Sequence, residues 1–145
     1  MKRGKSQGAY IVEFAIVAVV FLTILLGIID FARLLFLWNT ANEATLFGAR
    51  AAVVCKQNST YVNTRVQSIL NVQNSNINVQ WYPDSCNTSN CTAASVEITG
   101  VSFQPISPFG WIGFSSISMP TFKTYMTREM MGLDSSVPEA DCAGS

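Results

Sequence analysis

Few residues of this chain can do chemistry, and the most telling is a lone carboxylate. Glu13 is the only charge in the apolar run from Ile11 to Ile29, and it stands four residues after Ala9. If the bond between Gly8 and Ala9 is cut, the new α-amino group of Ala9 is a cation near neutral pH, one helical turn from Glu13. That amine can pair with its own Glu13 or with a neighbour's. The second pairing would drive and register the stacking of helices side by side in a lipid-like core. The alternative is a glutamate that snorkels to the headgroups from the end of a span.

Other chemistry is hard to build here. There is no histidine, so the usual Ser–His or Cys–His nucleophile cannot form, and no Gly-rich phosphate loop follows a strand. Glu129 and Asp134 are isolated acids that read as solvated surface groups. The expectation is a protein that is not an enzyme, with no catalytic residue, no cofactor and no metal. The cysteine spacing around Cys55 and Cys142 also matches no zinc ligand pair.

The run carrying Glu13 is nineteen residues long, about 28 Å as a helix, which crosses the hydrocarbon of a bilayer. Lys2, Arg3 and Lys5 precede it with no acid among the first twelve residues. By the positive-inside bias they hold the N-terminus in the cytoplasm and send everything after Asp30 outside. A secretory signal would have a shorter apolar core and a small-x-small cut site, which Asp30-Phe31-Ala32-Arg33-Leu34-Leu35 does not offer. The uncut chain has zero net charge; a product starting at Ala9 keeps six basic against nine acidic residues, with nothing basic left for nucleic acid.

Beyond the span, Phe31, Leu34, Leu35, Trp38, Ala41, Thr45, Gly48, Ala52 and Cys55 recur at spacings of three and four. That pattern predicts one helix from Ala9 to Cys55, about 70 Å long, whose outer part is an amphipathic stem. Asp30 and Arg33 read as a surface ion pair of little weight. Ala44, Gly48 and Ala52 form a small-residue row that admits a close backbone. Packing against the chain's own sheet is the favoured reading, and contact with a neighbouring subunit the alternative.

Asn58-Ser59-Thr60 breaks the stem, and a second helix is expected over Tyr61–Val72 with Val62, Val66, Ile69 and Leu70 on one face. Ile77, Val79 and Trp81 alternate with polar residues as a strand ending at Pro83-Asp84. Val96 and Ile98 alternate likewise, then the apolar phase shifts to Val101 and Phe103, which predicts a bulge at Gly100. Ile117–Arg128 is the third strand, with Pro120 marking an edge or an irregular start. Between strands, residues 105–114 carry Phe109, Trp111, Ile112 and Phe114, too apolar for a solvated loop. They either cover the sheet or touch a partner subunit or the outer leaflet.

Four cysteines in an oxidising compartment allow three pairings. The expected set is Cys86 with Cys91, closing a short polar loop, and Cys55 with Cys142. The triplets beginning at Asn58, Asn87 and Asn90 match a glycosylation pattern and are read as coincidence.

The short basic leader ending at Gly8, Glu13 at the fifth position after it and Phe14 next resemble the processing motif of type IV prepilins. More narrowly, Gln7-Gly8-Ala9, Val12-Glu13-Phe14, Leu25-Leu26-Gly27-Ile28-Ile29-Asp30-Phe31-Ala32-Arg33, Phe103-Gln104-Pro105-Ile106 and Met126-Thr127-Arg128-Glu129 are similar to TadE-like minor pseudopilins of tight-adherence (Flp) pili. Family members often have Gly where Ala32 stands.

The resemblance implies cutting by a prepilin peptidase between Gly8 and Ala9, an assembly role for Glu13 and Phe14, and a part in initiating, capping or regulating a pilus. Its implied partners are major and minor pilins, the assembly platform and membrane lipid. The alternatives are a type II secretion pseudopilin or an uncleaved single-pass binding protein in the periplasm. The expected fold is α+β and type IV pilin-like: a long transmembrane and stem helix, a second short helix and a small three-stranded antiparallel sheet. Its parts are a leader 1–8, a transmembrane helix 9–29, a periplasmic stem 30–56, an extracytoplasmic domain 57–132 and an acidic tail 133–145. The chain would sit in the bacterial inner membrane.

Overall fold

The computed structural model describes residues 7–55, 57, 60–87, 90–106 and 116–129. They form α1 (Gln7–Val54), α2 (Thr60–Ile69), a 3-10 turn (Asn74–Asn76), β1 (Ile77–Tyr82), β2 (Ala93–Ile98), β3 (Ser102–Phe103), β4 (Ile117–Ser118) and β5 (Phe122–Thr127). The layout is α+β. The chain divides into two compact units: Met1–Phe36 with Phe103–Ile117, and Leu37–Ser102 with Ser118–Ser145.

The second unit holds the core. Its sheet has the order β1-β2-β5, and both pairings are antiparallel. Register puts Ile77, Val79 and Trp81 beside Ile98, Val96 and Ala94, and these beside Phe122, Thr124 and Met126. Because side chains alternate along a strand, these residues share one face. Ala41, Ala44, Ala49, Ala52 and Val53 of α1, Val62 and Val66 of α2 and the buried members of that face form one hydrophobic cluster. Polar groups reinforce the packing. The Thr45 and Thr124 hydroxyls lie 2.8 Å apart, the Trp81 indole N–H donates to the Ala52 carbonyl at 3.3 Å, and Trp38 meets Phe122 edge-on at 5.0 Å. On the opposite face Tyr82 and Tyr125 meet edge-on, and Lys123 lies 3.9 Å from Glu97.

Gly48 shows why the stem is rich in small residues. A Cβ added there would stand 2.7 Å from Cγ2 of Val66 and 3.2 Å from Cγ1 of Val96. Gly48→Leu gains about 0.8 kcal/mol in helix propensity, but overpacking a filled core costs about 1–3 kcal/mol, so the variant should be less stable. Thermal unfolding of the detergent-solubilised protein checks this, and a raised melting temperature would reveal slack that the geometry does not show.

Three local expectations need correction. Helix α2 ends at Ile69 rather than Val72, because the Val72 N–H turns to the Leu70 carbonyl and the Gln67 side chain takes the Val72 carbonyl. Leu70 is buried in the core all the same. The phase shift at Gly100 is no bulge: after Ile98 the chain leaves one sheet and enters the β3-β4 pair. Gly100 has φ +71°, and a Cβ there would stand 3.0 Å from the Asn76 side-chain amide nitrogen, so glycine suits both the backbone and the close approach. The segment Ile117–Arg128 is two strands, with Pro120 between a two-residue β4 and the sheet strand β5.

Candidate functional site at the head and exit of the long helix

Helix α1 is the only element among the described residues long and apolar enough to cross a membrane, and none of its most apolar window is buried. The head of this helix carries the residues singled out by sequence. The helix is already formed at Gly8 and Ala9, both exposed. A Cβ built on Gly8 meets nothing within 4 Å, so the fold itself makes no demand for glycine at that position.

Glu13 is exposed among Tyr10, Ile11, Val12 and Phe14, all exposed as well. Among the described residues no hydrogen bond or ion pair reaches its carboxylate. Placed four residues after Ala9 on one helix, it lies about 5–6 Å from it, Cβ to Cβ. A cation created at Ala9, or brought by another helix, is the partner this geometry can take. The other polar group of the apolar run behaves differently: the Thr23 hydroxyl donates to the Val19 carbonyl of its own helix at 2.8 Å and needs nothing external.

The end of the apolar run holds a cluster that carries more weight than the expected surface pair. Asp30 is only 7% exposed, and its Oδ1 accepts from the Arg33 guanidinium at 3.3 Å and from the Ile106 backbone N–H at 3.0 Å. Arg33 also lies over the Phe103 ring, 5.4 Å from its centroid. So Asp30 and Arg33 are not a mere surface pair; they tie a segment some seventy residues downstream to the helix. The usable signal was the coincidence of an acid at the end of the span with an apolar loop rich in proline and aromatic residues, but no periodicity links the two.

Elsewhere Ala44 and Ala52 are buried in the chain's own core and Gly48 faces Val66 and Val96, so this row is not available to a neighbouring subunit. Cys86 and Cys91 form a disulfide, and the Gln57 side-chain N–H donates to the Cys86 carbonyl at 3.1 Å and to Cys91 Sγ at 2.9 Å. Cys55 is buried and disulfide-bonded, while Cys142, its expected mate, lies outside the described residues. Phe109, Trp111, Ile112 and Phe114 lie outside them too.

Residues 8–50 match the model of the family described as TadE-like protein. No curated protein and no solved structure matches the chain.

Proposed function

From a long helix that is TadE-like over residues 8–50, we propose that this chain is a minor pseudopilin of a tight-adherence (Flp) pilus. It sits in the bacterial inner membrane as a single-pass protein with its N-terminus in the cytoplasm and its sheet domain in the periplasm. A prepilin peptidase cuts between Gly8 and Ala9. The mature chain then helps to initiate, cap or regulate a fibre made with major and minor pilins on an assembly platform.

The observation that supports this reading most strongly is Glu13: a carboxylate exposed on an apolar helix surface, four residues after Ala9, with no partner among the described residues. A charge in such surroundings is costly unless paired, and cutting supplies an ammonium group in reach. Phe14 beside it, also exposed, adds apolar surface to the same contact.

Mass measurement of the intact protein from native membranes and from sheared fibres tests the first step. The expected product begins at Ala9. Assembled protein that retained residues 1–8 would defeat the proposal and favour a permanent anchor.

A further inference from the structure

The cluster at the helix exit has a consequence for the membrane. Asp30 is the first charge after Glu13, so it marks where the uncharged run of α1 ends. Its carboxylate accepts the Ile106 N–H at 3.0 Å, which holds Ile106 at the level of that boundary. Ile106 is 68% exposed, although it is a large apolar side chain held by its backbone. Around the same level Ile28, Phe31, Leu35 and Phe36 of α1 are exposed as well. Arg33, half-exposed and stacked on the buried Phe103, has a long stem and a charged head able to reach lipid phosphates.

We propose that the segment at Ile106 is a second membrane contact: an apolar foot that Asp30 docks beside the span, with the Ile106 side chain in the interfacial layer of the bilayer. The occupant is lipid because Ile106 is fixed to Asp30, the residue at which the exposed, uncharged apolar run of α1 ends. Fixing the foot through a backbone N–H leaves its side chain outward. The same Asp30 carboxylate also accepts from the Arg33 guanidinium at 3.3 Å, so one side chain joins the foot and the cation beside it. The inference rests on reading residues 11–29 as a span.

The test uses the full chain reconstituted alone in phosphatidylethanolamine and phosphatidylglycerol vesicles, with a photoreactive diazirine analogue of leucine in place of Ile106 or, separately, of Phe21. Phe21, in the middle of the span, reports whether the helix is in lipid. The expected result is phospholipid adducts at both positions, identified by peptide mass. Asp30→Ala should lower the adduct at position 106 several-fold and leave that at 21 unchanged, whereas Asp30→Asn, which keeps an accepting oxygen, should retain both. Lipid adducts at 21 with none at 106, or cross-links from 106 to another protein chain instead, would overturn the foot. No adduct at 21 would remove the span itself, and the foot with it.

Discussion

Glu13→Ala should leave the protein in the membrane and still cut, yet nearly absent from fibres. This side chain is exposed, and among the described residues no hydrogen bond or ion pair ties it to another element. Removing it makes the span more apolar, so insertion is not weakened. On the proposed function, what is lost is the partner of the Ala9 ammonium group. An unpaired charge left in lipid-like or helix-packed surroundings costs about 3–5 kcal/mol, which corresponds to at least a roughly hundredfold loss in the assembly equilibrium. Immunoblots of sheared fibres against whole membranes, normalised to the mature band, read this directly. Equal incorporation of the variant would mean that Glu13 snorkels to the headgroups and does not pair. Glu13→Asp, with the carboxylate one methylene nearer the backbone, should fall between the two.

Gly8→Phe should block maturation and accumulate the full-length chain in the membrane. An added Cβ at Gly8 meets nothing within 4 Å, so the fold has room for a side chain there, and on the proposed function the effect arises in the peptidase. A steric misfit costing about 3 kcal/mol at the scissile bond slows cutting roughly hundredfold. The uncut chain keeps an amide nitrogen at Ala9, so it cannot offer Glu13 a cation. Gly8→Phe and Glu13→Ala should therefore share the failure to enter fibres while differing by the mass of eight residues. Normal maturation of the Gly8 variant, seen as a band shift or by mass, would argue against peptidase recognition at this bond.

The two substitutions also combine in an informative way. If the ammonium group and the carboxylate act only through each other, the double variant should assemble no worse than either single one. An additive loss would point to separate roles, for instance apolar packing by the neighbouring Phe14.

Much of this architecture was legible because its signals are local. An apolar run of bilayer length with a single charge reads as a span, and Glu13 inside it stands out by charge alone. Alternation in Ile77–Tyr82 marks a strand with one buried face, and the small residues of the stem signal a close approach without naming its partner. What sequence could not supply were the meetings of residues far apart in the chain, whose register no periodicity encodes. Val66 and Val96 fill the space beside Gly48; Thr124 answers Thr45; the sheet change at Gly100 mimics a bulge in pattern alone. The burial of Asp30 belongs here most of all. As a string of letters it is an ordinary acid at a membrane exit, and only the returning backbone of Ile106 makes it a hydrogen-bonded anchor.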